Sequence, residues 1–165
     1  MREKYYLDND WYFSEKWEAA QSDTEYDETA MQSVRIPHTV KELPFHYFDE
    51  HAYQMVSGYR RHLFAKKEWK GKVVRLTFEG VAHDSEVYVN GAKAGVHHCG
   101  YTAFTIDVSA LLHYGEDNVI AVRVDSNENL NVPPFGFVID YMTYGGIYRD
   151  VYLEINEENY LADVF

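Results

Sequence analysis

A single cysteine, Cys99, stands in a chain of 165 residues. It cannot close an internal disulfide, and no Asn-x-Ser/Thr sequon accompanies it, so nothing points to an oxidising secretory history and a reducing cytoplasm is the expected compartment. Basic residues are also scarce, 15 Lys and Arg against 27 Asp and Glu, for a formal net charge of −12. That balance argues against a sequence-independent grip on nucleic acid or an anionic membrane. No apolar run approaches the roughly 20 residues of a membrane helix. Met1 leads straight into Arg2-Glu3-Lys4-Tyr5-Tyr6 with no apolar signal core behind it. Repeats and low-complexity tracts are missing, as are a phosphate-binding glycine loop and a Gly-x-Ser-x-Gly elbow. No cofactor is therefore expected.

The chain does have aromatic residues, 16% of the total with 15 tyrosines, and persistent period-two patterning. At this length one domain can bury roughly two-thirds of its unfolded surface without disulfides or metals. Alternation predicts strands over Tyr59 to Phe64, over Val74, Leu76 and Phe78, and over Val87-Tyr88-Val89. Asn90-Gly91 is the preferred pair for a type I′ hairpin because both positions need positive φ, and Lys93 to Val96 begins the return strand. Further strands are expected from Thr102 to Val108, from Asn118 to Asp125 with Ile120, Val122 and Val124 on one face, and from Val151 to Ile155, where Val151, Leu153 and Ile155 alternate with Tyr152 and Glu154 as a half-buried strand requires. Ser109 is placed to cap a short turn through Leu111-Leu112 that Gly115 closes. The first third reads as an edge strand followed by loops, and Pro37 should end pairing after Val34. Short strands about 10 residues apart with almost no helix indicate an all-β sandwich or barrel, and a jelly roll fits a count of about eight.

The segment richest in site-like chemistry is Ile139 to Val151, which joins an aromatic loop to a strand through Gly145-Gly146. Two glycines permit backbone angles closed to other residues or a close approach by another segment. Asp140, three tyrosines and Arg149 surround them without forming a catalytic set. Elsewhere, His97-His98-Cys99 invites a zinc reading, but neighbours on a strand face opposite ways and no second ligand pair lies at metal spacing. No metal is expected, and Cys99 lacks a partnered base. His38 is expected to hydrogen-bond backbone, Arg149 to pair with Asp150, and the carboxylate pairs Asp49-Glu50 and Glu157-Glu158 to be solvated surface.

Six segments in order resemble the N-terminal sugar-binding domain of glycoside hydrolase family 2, the family of β-galactosidases, β-glucuronidases and β-mannosidases. They are Ile36-Pro37-His38-Thr39-Val40, Tyr59-Arg60-Arg61, Phe78-Glu79-Gly80-Val81, Val87-Tyr88-Val89-Asn90-Gly91, Gly100-Tyr101-Thr102-Ala103-Phe104 with Asp107-Val108-Ser109, and Tyr144-Gly145-Gly146-Ile147-Tyr148-Arg149-Asp150-Val151. The resemblance spans roughly residues 5 to 157 and implies a jelly-roll β-sandwich of the galactose-binding kind over 1–157. Residues 158–165 would open a linker to an immunoglobulin-like domain, itself followed by a (β/α)₈ barrel with two catalytic glutamates in a retaining mechanism. This chain contains neither later domain, so by itself it is expected not to hydrolyse glycosides.

The resemblance further implies that Asp140 accepts hydrogen bonds from sugar hydroxyls in the terminal subsite. Tyr141 and Tyr144 would stack on the sugar, the alternatives being that they cover the end of the sandwich or dock against a neighbouring domain. Implied partners are a β-glycoside, the chain's own later domains and further copies of the full-length protein, with no nucleic acid or membrane. Where relatives usually carry two glycines before the Tyr-Thr-x-Phe strand, this chain has Cys99-Gly100. A free-standing carbohydrate-binding module and a purely structural β-sandwich remain the alternatives.

Overall fold

The structure is a computed structural model that describes residues 3–46, 49–133, 135 and 143–161. Among these residues the regular elements are strands, with three short 3₁₀ turns and no α-helix. In chain order the strands are β1 (Glu3–Tyr6), β2 (Trp11–Ser14), β3 (Gln32–Val34), β4 (Val56–Phe64), β5 (Val73–Phe78) and β6 (Val81–Ala82). They continue as β7 (Asp84–Val89), β8 (Ala92–His98), β9 (Phe104–Asp107), β10 (Asp117–Asp125), β11 (Gly146–Ile147) and β12 (Val151–Asn156). One antiparallel sheet has the order β1-β12-β5-β9 and another the order β3-β2-β4-β10-β7-β8, while β11 and β6 form a small pair. The chain changes sheet between β1 and β2, between β4 and β5, again on entering β7, and again at β9, β10 and β12. This crossing course is the expected jelly-roll sandwich.

The alternation read from the sequence explains how the sheets face each other. Val74, Leu76 and Phe78 of β5 stand opposite Ile155, Leu153 and Val151 of β12 in register. All six are buried in the same cluster as Val87, Val89, Ile120, Val122 and Val124 from the six-stranded sheet. The core therefore lies between two inner faces, as a sandwich requires. The hairpin is as anticipated, with Asn90 at φ 50° and Gly91 at φ 81°. Asn90 also locks it from outside the turn: its amide donates to Leu111 O at 2.9 Å and to Asn118 Oδ1 at 2.7 Å.

Three local expectations change. The N-terminal third contributes β1, β2 and β3, and β2 lies inside the six-stranded sheet between β3 and β4, not at its edge. Trp11 and Phe13 are buried in the core there, because the strand needs only four residues to place two large rings inward. The Ser109 hydroxyl accepts from Val74 N–H at 2.8 Å, tying the turn to β5 instead of capping a helix-like turn. Glu154, predicted to face solvent, is 6% exposed. Its strand is flanked on both sides, and its register neighbours are Lys4 and Arg75, cations that suit a half-sequestered carboxylate.

The outer face of the large sheet is covered as well. Residues 15–31 fold over it, and Arg60 of β4 is fully buried beneath them. Its guanidinium donates to Glu28 Oε1 at 2.7 Å, to Asp23 O at 2.8 Å and to Gln21 O.

Candidate sugar site

Residues 145–148 form a strap held from two sides by backbone bonds. His38 N–H donates to Ile147 O at 2.8 Å and Val40 N–H to Gly145 O at 3.1 Å. On the other flank β11 pairs with β6, and Tyr148 N–H donates to Gly80 O at 3.2 Å. Both glycines are needed for this. A Cβ on Gly146, at φ 109°, would meet Tyr59 Oη at 2.6 Å and His38 O at 2.8 Å. One on Gly145 would meet Ser126 Cβ at 2.6 Å. The two readings offered for the pair thus both hold, a special backbone angle at Gly146 and a close approach at both.

Beneath the strap, Tyr59 is fully buried and its hydroxyl lies 2.8 Å from His38 Nδ1. Burial raises the phenol far above its ordinary pKa and lowers that of the His38 imidazole, so both groups are neutral and occupied with each other. The His38 side chain bonds a buried phenol, not backbone as expected, because β4 carries Tyr59 directly under the Pro37-His38 turn. It packs on Phe13 as well, with centroids 4.8 Å apart.

Tyr148, at the end of the strap, helps to line a cleft of about 420 Å³. Pro37 to Thr39, Ala82, His83, Gly100 and Tyr101 line it together with Thr143, Tyr144 and Arg149. Tyr148 is anchored there by a hydrogen bond from its hydroxyl to Gly100 O. Tyr101 and Tyr144 present rings that are 43% and 52% exposed. The Arg149 guanidinium lies 5.3 Å from the Tyr148 ring centroid and makes no ion pair with Asp150, so the expected Arg149–Asp150 pair is replaced by a cation–π contact. Exposed rings beside a guanidinium suit a polyhydroxylated ring with one apolar face. The described lining residues include no carboxylate, so they contain no acid/base and nucleophile pair for glycoside hydrolysis.

Of the three residues expected to touch sugar, Tyr144 stands on the cleft wall. Asp140 and Tyr141 lie outside the described residues. The structure brings Tyr144 together with Tyr148, the Pro37-His38-Thr39 turn and Tyr101, the last quoted above only within a family motif. His83 was missed entirely, since it falls between two patterned runs and its only signal was a break in alternation after Val81. The His97-His98-Cys99 rings diverge as strand geometry requires: His97 Nε2 lies 2.9 Å from Thr102 Oγ1, while His98 Nδ1 lies 2.7 Å from Asp84 Oδ1. At Cys99 burial opposes ionisation, but hydrogen bonds from Thr102 and the neighbouring backbone outweigh it and hold the thiol below its ordinary pKa.

The fold is an all-β sandwich with an aromatic-lined cleft beside its small β6–β11 pair. The model of the glycosyl hydrolases family 2 sugar binding domain matches residues 6–156, and the chain belongs to that family. It is 44% identical over 142 residues to a β-galactosidase of Thermoanaerobacter pseudethanolicus, covering 86% of this chain and 19% of that protein. A β-glucuronidase of Bacteroides fragilis is 39% identical over 107 residues, covering 65% of this chain and 15% of the relative. Among solved structures, the β-glucuronidase of Bacteroides uniformis superposes with a TM-score of 0.81 at 28% identity, over 94% of this chain and 18% of that one. The chain spans about a fifth of the length of such relatives.

Proposed function

We propose that this chain is the non-catalytic N-terminal domain of a retaining family 2 β-glycosidase of the β-galactosidase or β-glucuronidase type. In this reading residues 1–157 form the domain and 158–165 open a linker to an immunoglobulin-like segment. The domain buttresses a catalytic barrel, lends the Asp140 to Tyr144 loop to the sugar pocket, and assists association of full-length subunits in a reducing cytoplasm. The observation that carries this reading is the strap: residues 145–148 are fixed on both flanks by backbone bonds, and Thr143 and Tyr144, which lead into them, stand on the wall of an aromatic cleft.

Its test has two arms. The purified 165-residue chain should not hydrolyse chromogenic β-galactosides or β-glucuronides, whereas the full-length protein should hydrolyse one of them. Asp140→Asn in the full-length protein should lower kcat/KM by about 10- to 100-fold with an unchanged melting temperature, because charge-assisted bonds to the sugar strengthen toward the transition state. Unchanged kinetics would remove Asp140 from the site.

A free-standing carbohydrate-binding module is the second reading. It is favoured by the exposed Tyr101 and Tyr144, which stand together on the wall of the cleft. Titrating the isolated chain with mono- and oligosaccharides separates the two, since a module binds alone and a partial pocket does not.

A further inference from the structure

Ten large apolar side chains are exposed among the described residues, and five of them, Phe45, Tyr101, Leu130, Phe135 and Tyr144, gather at the end of the sandwich that holds the cleft. Backbone bonds bring their segments there. Val40 N–H reaches Gly145 O of the strap at 3.1 Å, and Phe45 follows five residues later. Gly100 N–H, in the cleft wall, reaches Pro133 O at 3.0 Å and so holds the segment that carries Leu130 and Phe135. Phe45, Leu130 and Phe135 are 93%, 59% and 43% exposed, and none of them lines the cleft. A sugar seated among the lining residues therefore leaves them bare. Single exposed apolar residues are ordinary, but a cluster of them marks a contact surface, and aromatic rings with arginine are what protein interfaces accumulate. Arg149 supplies the arginine here.

The course of the chain bears on what covers this face. The cleft lies toward the Phe78 end of β5, where Tyr148 N–H donates to Gly80 O. The outgoing segment lies toward the other end: Glu157 pairs with Lys72 at 3.0 Å, and the Arg75 guanidinium donates to Tyr160 Oη at 3.2 Å. β5 is six residues long, so the two ends stand about 17 Å apart. Residues that follow directly thus start out away from the exposed cluster, and a part further along must fold back to reach it. Relatives have chain enough for this, since the present one spans 19% of the T. pseudethanolicus β-galactosidase.

We propose that the loops bearing Phe45, Leu130 and Phe135 form a docking face, outside the sugar cleft itself, for the catalytic barrel of the same full-length polypeptide. The inference rests on reading the chain as the N-terminal domain of a longer glycosidase, and adds the surface by which it holds the barrel. Its test is hydroxyl-radical footprinting, read by mass spectrometry, of the isolated chain and of the sugar-free full-length protein. Phe45 and Leu130 should be oxidised about 10-fold or more slowly in the full-length protein, as side chains at the dry centre of an interface are. An amine-reactive cross-linker at Lys41, whose side chain is 40% exposed, should join it to peptides of the barrel. The double variant Phe45→Ser/Leu130→Ser should leave the melting temperature of the isolated chain unchanged and lower that of the full-length protein by several degrees.

Equal oxidation rates in the two proteins would overturn the proposal, as would a double variant that melts like wild type in both. Cross-links from Lys41 confined to the immunoglobulin-like segment would also overturn it. Protection in the isolated chain that grows with its concentration would give the face to a second copy instead. The glycosidase reading fails separately. A full-length protein that hydrolyses nitrophenyl β-galactoside or β-glucuronide but shows no protection keeps that reading and loses the docking face. One that hydrolyses neither loses the reading and, with it, the barrel as occupant, whatever the footprint shows.

Discussion

Gly146→Ala should be among the most damaging single-atom additions to this domain, and the structure supplies the reasons separately. At φ 109° an alanine would occupy a backbone region costing about 1–3 kcal/mol. Its Cβ would also stand 2.6 Å from Tyr59 Oη and 2.8 Å from His38 O, both well inside the contact distance of roughly 3.5 Å. Tyr59 has nowhere to retreat, because it is fully buried, its hydroxyl is bonded to His38, and its ring packs 5.0 Å from that of Phe13. Overpacking of this kind adds about 1–3 kcal/mol. The total of about 2–6 kcal/mol corresponds to a melting shift on the order of 5–20 °C for a domain of this size.

Gly71→Ala is the internal control: φ is 84° but nothing lies within 4 Å of the added Cβ, so it should show backbone strain alone, about 1–2 kcal/mol. Urea and thermal melts of the isolated chain, followed by circular dichroism, would rank the two. Tyr59→Phe combined with Gly146→Ala should be less destabilised than the sum of the single changes, because the clashing oxygen is gone. Equal melting of Gly146→Ala and Gly71→Ala, or strict additivity with Tyr59→Phe, would refute the account of the strap.

Three further outcomes follow from the placement of titratable and charged groups. Arg60→Met should cost about 3 kcal/mol in a urea midpoint measurement, because it leaves two carbonyls without their donor and Glu28, whose side chain is 14% exposed, with only the half-exposed His62. Stability should rise with pH up to about 6.5 and then level off. His38, His83 and His97 have folded pKa values held below that ordinary value by burial, so the unfolded chain binds more protons in the window beneath it. His38→Gln should flatten part of that slope, and a pH-independent unfolding free energy between 5 and 7 would contradict it. Below about 4.5 a further loss is expected from Glu86, whose carboxyl is held down by hydrogen bonds from Lys93 and Tyr88.

Much of the sandwich was legible because its strands obey a local rule. Val74, Leu76 and Phe78, or Ile120, Val122 and Val124, announce one buried face through period-two spacing alone, and Asn90-Gly91 announces its turn through the φ values only such residues accept readily. The N-terminal third was not legible in the same way. β2 spans four residues, too few for alternation to stand out, and its place inside the sheet comes from pairing with β4, more than 40 residues away along the chain. Arg60 shows the same limit, since its burial depends on residues 15–31 folding back over it, which no periodicity in β4 predicts.

The site divides along the same line. The order of motifs from Ile36 to Val151 was sufficient to place the chain in its family and to nominate Tyr144, and the glycine pair alone announced an unusual backbone. Only the tertiary structure decided that the His38 ring serves Tyr59 instead of backbone, that Arg149 lies over Tyr148 instead of Asp150, and that His83 belongs to the cleft wall. The reason is physical. Period and turn chemistry are properties of neighbouring residues and are written in the chain, whereas a hydrogen-bond partner or a cleft wall is a property of segments brought together from 36–40, 80–83, 100–101 and 143–149. Their meeting depends on how the two sheets pack.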